Sequence, residues 1–349
     1  MRKINLIMDL QFGSTGKGLL AGCLAEQNQP DTLVTAWAAN AGHTYVNAEG
    51  RKFVHTMLAN GVVSNNLRQI LIGPGSIIDP VNLEKEIGEC SDLLDGCRIL
   101  VHSNAAIIEQ RHRDEEAGPM TKIGSTKKGV GAAAIQRIRR DPNDMNTAGA
   151  ILDRFPVFEK VEVVNPQQYA KALDEGREIQ VEGAQGHSLS MYHGFYPYCT
   201  SRDVSAHQTL ADCGIPAGDK FARVNVYGTA RTYPIRVANR YDEQGNQVGW
   251  SGPHYPDQEE TTFEAIGQTT ELTTVTKLPR RIFTFSMEQI TEAVRMNGVD
   301  FIFLNFVNYM KDYDAAKLIN RINIMSGARV RWIGKGPTVN DVVEVLTGV

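Results

Sequence analysis

Cysteine is scarce in this chain of 349 residues: five thiols, Cys23, Cys90, Cys97, Cys199 and Cys213, with no CxxC spacing. An odd number so scattered argues against a disulfide framework or a zinc site and suits reduced thiols in a cytosol. An excess of one charge is also missing. The formal net charge of −4 argues against a general nucleic-acid binder, while leaving room for local basic pockets. No apolar run reaches the length of a membrane-crossing helix. The opening "MRKINLIMDLQFGS" turns polar too soon for a secretory signal. The expectation is a cytoplasmic protein with neither membrane nor nucleic-acid partners. Internal repeats and low-complexity segments are absent too, which leaves one elaborated domain over residues 1–349 as the simplest division.

What is present is a globular composition, 42% hydrophobic and 22% charged. Residues 3–10 read as a buried strand, and "KGLLAGCLAEQ" after them has helical periodicity. "TLVTAWAANAGHT" gives a second strand and a small-residue turn, and "RQILIGPGSIIDP" a strand stopped by Gly and Pro. "PVNLEKEIGECSDLL" is an amphipathic helix, and "CRILVHS", "GREIQVEGAQG" and "VDFIFLNFV" are further strands. Strands alternating with helices predict an α/β fold, its central sheet mainly parallel and flanked by helices on both faces. The polar stretch "NRYDEQGNQVGWSGPHYPDQEETT" reads as an excursion or active-site loop.

"QFGSTGKG", Gln11–Gly18, lies between the first strand and the first helix. Gly13, Gly16 and Gly18 let backbone approach an anion, the helix N-terminus offers free amides, and Lys17 adds a positive charge. The spacing is not a Walker A motif, which needs Gly where Gln11 stands and Ser or Thr where Gly18 stands. Alone, the loop is a weak signal, with a plain Gly-rich turn as the competing reading. It is accompanied by "NAGHT" (40–44), "GSTKKGVG" (124–131), "VEGAQG" (181–186) and "HGFYPYCTS" (193–201).

These five motifs, in this order, resemble adenylosuccinate synthetases, the likeness continuing more weakly through "TTVTKLPRR" and "IGKGPTVNDV". The resemblance implies an adenylosuccinate-synthetase-like fold, related to P-loop nucleoside triphosphatases, and a carbon–nitrogen ligase. A triphosphate phosphorylates O6 of a 6-oxopurine monophosphate, and the amine of aspartate then displaces the phosphate at C6. His43 matches the family's general acid, a role that suits an imidazole. Ser14 and Lys17 complete the catalytic positions. Donor phosphates would lie against Gly13, Thr15, Gly16, Lys17, Gly18, Gly42, His43 and Thr44. The purine monophosphate would meet Ser14, Asn40, Ala41, Ser125, Thr126, Arg140, Gln185, Leu189 and Thr200. Arg140 would come from the other subunit of a homodimer, although "RIRR" is also an ordinary solvated helix face and Arg139 an alternative match. Aspartate would be held by Thr276, Arg280 and Arg281, and the donor base would lie near Asn305, Gly336 and Pro337. Mg2+ would be the cofactor, with Ser14 and the Gly42 carbonyl as its protein ligands.

Three departures stand out. Ser14 replaces the family's catalytic Asp, which makes room for a 2-amino group and offers it a hydroxyl. Leu278 replaces an Arg that reaches toward the ribose 2′-hydroxyl, and leucine has no donor for it. Asn305 and Val307 stand where the family's donor-site Lys and Asp would, which weakens guanine discrimination and suits ATP or dATP. Together these resemble the phage-type branch of the family, which joins aspartate to dGMP on the route to 2-aminoadenine deoxynucleotides. The competing readings are an ordinary family member acting on IMP with GTP, a simple nucleotide kinase, and a non-catalytic nucleotide-binding module.

Overall fold

Unbroken burial along Lys3–Asp9 (β1), from Ile4 onward, fits a strand that lies mid-sheet. Ile4, Leu6 and Met8 enter one hydrophobic cluster and Ile7 the other, so both faces are covered. The computed structural model describes residues 2–40, 42–117, 127–218, 220–273 and 277–345. Nine more strands join β1: Thr32–Thr35 (β2), Gln69–Ile72 (β3), Arg98–His102 (β4), Glu162–Val164 (β5), Glu178–Glu182 (β6), Arg223–Arg231 (β7), Phe301–Asn305 (β8), Arg329–Gly334 (β9) and Val342–Glu344 (β10). Their order is β10-β9-β8-β7-β1-β6-β2-β3-β4-β5. Every pairing is parallel except β9 with β10. The sheet is thus mainly parallel, as the sequence predicts. Among the described residues no helix is long and apolar enough to cross a membrane.

The loops that leave β1, β6, β2, β7 and β8 emerge at one edge of the sheet, the carboxyl ends of parallel strands, where ligands bind in open α/β folds. Helix α1, Lys17–Asn28, carries Gly18 and Gly22 one turn apart. A Cβ on Gly18 would lie 2.6 Å from the Thr44 carbonyl, and one on Gly22 would lie 2.3 Å from the Tyr45 ring. Those two glycines bring the antiparallel hairpin His43–Val46 and Lys52–His55 onto α1.

Two boundaries differ from the sequence reading. The helix expected through Leu94 ends at Glu89, although Asp79 caps it and Pro80 opens it. The polar excursion is more ordered than its composition suggests. Arg240–Tyr241 pairs with Gln247–Gly249, and Glu260–Thr261 joins Arg281–Phe283 and Ile235–Arg236 in a small antiparallel sheet. Tyr255 supplies the anchor: it is 7% exposed, packs on Phe12 and Phe195, and its hydroxyl lies 3.1 Å from the Ser188 hydroxyl.

Candidate active site

Asp9, the last residue of β1, shapes the first loop. Its Oδ1 accepts the Gln11 and Gly13 amides at 2.8 and 3.2 Å, and its Oδ2 accepts the Thr15 hydroxyl at 2.5 Å. Gly13, Ser14 and Gly16 all hold left-handed φ, 93°, 57° and 93°, the backbone conformation of anion-cradling turns. Ser14 is exposed at the crest of this loop. The Lys17 ammonium lies 3.4 Å from Asp9 Oδ2 and donates to the Gln185 carbonyl at 2.9 Å. Sequence reasoning passed over Asp9; an acid closing a strand just before a Gly-rich loop was the available signal.

Two of the residues expected at the donor phosphates do structural work. The Thr15 hydroxyl is buried between Asp9 and Thr229, so only its amide is free for a phosphate. Gly18 serves the close approach of α1 to Thr44 described above.

His43 opens the hairpin strand and points inward, 6% exposed, while Gly42 and Thr44 on either side are exposed. Its ring meets Trp37 edge-on at 4.2 Å between centroids. Its Nδ1 has no hydrogen-bond partner and lies 3.8 Å from Glu182 Oε2. Burial, then the charges of Lys17 and His55, hold the imidazole well below its usual value, so the ligand-free site carries a neutral His43. Anionic phosphoryl oxygens beside it would reverse that bias.

Glu182, the last residue of β6, is fully buried and was also missed. It accepts the Gly61 amide at 3.0 Å, and its carbonyl takes the Trp37 indole N–H at 2.6 Å. Burial pushes its carboxyl up to about 8, against the bonds from Gly61 and Asn60 that pull it down. Between about 4.5 and about 8 the unfolded chain ionises this carboxyl while the native chain keeps its proton. Its contribution to stability is therefore complete below that window and lost as pH rises through it. Relative to the unaltered protein, Glu182→Gln should gain in Tm as pH rises across this window. Parallel Tm curves would mean that the buried carboxyl is already ionised.

The loop after β6 closes the third wall. Gly186 lets it descend on the phosphate loop: a Cβ there would lie 2.4 Å from the Gln11 carbonyl and 2.5 Å from the Gly13 amide. Gln185, at φ 64°, donates from its side chain to Asn40 Oδ1 at 2.6 Å. Leu189 reaches over Gly13, and the Thr200 amide bonds the Leu189 carbonyl at 2.7 Å. Asn40, Gln185, Leu189 and Thr200 thus surround the phosphate loop together. Ala41, Ser125, Thr126 and Thr276 lie outside the described residues. Arg140 caps helix Val130–Arg139 in a left-handed turn and is exposed.

The remaining expected contacts divide. Arg280 is tied to its own loop: its amide donates to the Glu271 carbonyl at 2.9 Å and its Nε to the Leu272 carbonyl at 3.4 Å, and Glu271 in turn holds Arg231. Arg281 is committed to other partners. Its guanidinium forks onto Glu260 at 2.7 and 2.6 Å and bonds the Gly252 carbonyl at 2.6 Å, fixing the small antiparallel sheet. Asn305 is committed as well. Its amide nitrogen donates to the Thr15 carbonyl at 3.3 Å and its oxygen accepts the Phe306 amide at 2.8 Å. That side chain, 5% exposed, locks β8 to the phosphate loop, and Val307 is buried. Gly336 and Pro337 lie on the turn after neighbouring β9, where the Asp341 carboxylate packs so closely that a Gly336 Cβ would lie 2.5 Å from it.

A sequence model of the family described as adenylosuccinate synthetase matches residues 6–164 and 150–319. The chain belongs to the adenylosuccinate synthetase family. Within that ligase family it is 52% identical, over 98% of its length and 97% of the relative's, to the N6-succino-2-amino-2′-deoxyadenylate synthase of Salmonella phage PMBT28. Identity to the adenylosuccinate synthetase of Pyrococcus horikoshii is 29%, over 97% of both chains. A solved succinoaminodeoxyadenylate synthetase of cyanophage S-2L, bound to dGMP and to dATP as an energy donor, superposes with a TM-score of 0.91 at 46% identity. The match covers 99% of this chain and 96% of that one. The chain therefore lies nearer in sequence to these phage relatives than to the archaeal one, in keeping with the departures at Ser14, Leu278 and Val307.

Proposed function

We propose that the protein joins L-aspartate to C6 of dGMP, consuming ATP or dATP, and releases 2-amino-2′-deoxy-N6-succinyladenylate. The observation that carries this reading is Ser14, exposed at the crest of a phosphate loop whose nearest acid, Asp9, is bonded into the loop itself. Passage of the N1 proton to water or to the substrate's own 5′-phosphate makes O6 a nucleophile. O6 attacks the γ-phosphorus, and the bond to the β-phosphate oxygen breaks. The amine of aspartate then adds at C6, and the C6–O bond breaks to release phosphate.

The chain's own residues orient and neutralise these steps. Lys17 and the left-handed loop receive the phosphates, and His43 stands as the acid for the departing 6-oxygen. The Ser14 hydroxyl accepts from the 2-amino group. Magnesium fits this site as an ion carried largely by phosphates. The protein would add neutral oxygens, the Ser14 hydroxyl and the Gly42 carbonyl, since Asp9 is engaged and no cluster of three acid, His or Cys ligands occurs among the described residues. When bound, the ion would neutralise charge on the moving phosphoryl group.

The test is phosphate release with aspartate and magnesium over IMP, GMP and dGMP against ATP, dATP and GTP. Turnover confined to dGMP with an adenine donor is expected, whereas turnover with IMP and GTP would return the protein to ordinary purine synthesis.

A homodimer that shares its sites belongs to the same reading. Ile138 and Ile135 on the helix that Arg140 ends are 73% and 44% exposed, an apolar face fit for a second copy, and Arg140 would pass from it to the partner's monophosphate. Arg140→Ala and His43→Ala proteins, each inactive alone, should regain activity when subunits are mixed and allowed to exchange. In a mixed pair, one site keeps its own His43 and receives its neighbour's Arg140. No recovery after proven exchange would place Arg140 in its own subunit's site, or in none.

A further inference from the structure

One buried ion pair has no part in the chemistry above. Arg231, the last residue of β7, is 0% exposed, yet its guanidinium touches three functional segments. Nη1 donates to the Ser14 carbonyl at 3.4 Å, inside the phosphate loop. Nη1 and Nη2 fork onto the Glu271 carboxylate at 3.2 and 2.5 Å, at the head of the loop that carries Leu278 and Arg280. The Phe306 ring, on the turn after β8, lies 3.9 Å from the guanidinium carbon. The main chain of Arg231 is stitched to the same loop: its amide donates to Gln11 Oε1 at 2.9 Å, and its carbonyl accepts Gln11 Nε2 at 3.2 Å. Glu271 has a second donor in the Tyr309 hydroxyl at 3.3 Å, and its own carbonyl holds the Arg280 amide.

A guanidinium withdrawn from water is tolerated only where fixed partners replace its hydration. A two-toothed carboxylate contact fixes orientation as well as charge. Arg231 is wholly enclosed, whereas the Glu271 side chain is 27% exposed. The pair thus runs from the interior, under the phosphate loop, to the open side at Arg280. A shift of Glu271, or of the Arg280 main chain bonded to it, moves the guanidinium that holds the Ser14 carbonyl.

We propose that Arg231 and Glu271 are a positioning pair that couples the aspartate loop to the phosphate loop, so that each substrate tightens the site for the other. This deepens the function proposed above and rests on the expectation from the sequence that Arg280, on the loop that Glu271 heads, meets aspartate. It also assigns Arg231 a role distinct from substrate contact.

Aspartate affinity should be measured with magnesium and dGMP, in the presence and absence of an ATP analogue whose β–γ bridge is nitrogen and does not react. In the unaltered protein the analogue is expected to tighten aspartate binding about tenfold. Glu271→Gln keeps the shape and loses the charge, and Arg231→Lys keeps the charge and loses the fork. In both the ratio should fall to about one, with dGMP binding retained as proof of folding, and Glu271→Asp should restore part of it. A full ratio in either folded variant, or a ratio of one in the unaltered protein, overturns the coupling. Absence of aspartate-dependent phosphate release from the unaltered protein would be a different failure, since it would remove the functional reading itself and this proposal with it.

Discussion

Alanine at position 43 is expected to lower kcat with dGMP, aspartate and ATP by about 10²- to 10⁴-fold, the usual worth of a positioned proton donor. The ring is 6% exposed, is wedged against Trp37, and is neutral in the free site because burial and the nearby Lys17 disfavour its charge. Its protonation therefore depends on the phosphates that enter beside it, and the imidazole becomes an acid only where phosphate charge is present. Alanine removes the proton but leaves Lys17, the left-handed loop and Gln185 in place. Nucleotide binding should change much less than turnover, and comparing kcat with the dGMP dissociation constant separates the two. A variant that keeps its rate would remove His43 from the reaction, and one that loses dGMP binding in step with rate would make it a structural residue.

The second large effect is expected from Ser14→Asp. Turnover of dGMP should fall at least about a hundredfold, and turnover of IMP should rise from its background. Ser14 already sits at φ 57°, where Asp is among the better-tolerated side chains, and it is exposed, so the loop should accept the change without refolding. The new carboxylate would fill the space of a 2-amino group and supply the missing base for the N1 proton. The decisive measurement is the ratio of kcat/KM for IMP to that for dGMP. An unchanged ratio would mean that discrimination resides elsewhere, with Ser14 a passive replacement.

The site was legible in the sequence where a function depends on short, contiguous backbone. "QFGSTGKG", "NAGHT" and "VEGAQG" each carry their own turn chemistry: left-handed residues at Gly13, Ser14 and Gly16, and a Gly186 whose missing Cβ admits the neighbouring loop. Lys17, Asn40, Gln185, Leu189 and Thr200 accordingly come together as expected. Side chains whose role depends on distant partners were not legible. Arg281 reads as half of an arginine pair for aspartate, but Glu260, 21 residues away in sequence, holds it. Asn305 reads as a base contact, but the Thr15 carbonyl, 290 residues away, takes its amide. Glu182 and Arg231 were passed over because nothing in their immediate sequence separates a buried ionisable group with distant partners from an ordinary strand end.

The sequence by itself determined the mainly parallel sheet, the phosphate loop and the direction of the substrate change. Each is written in local period, turn residues or a single replaced side chain. Only the tertiary structure decided which charged groups are spent on holding the molecule together. A buried guanidinium or carboxylate must find its partner wherever the fold provides one. In this chain Asp9 is consumed by its own loop, Arg281 by the small sheet, and Arg231 by Glu271.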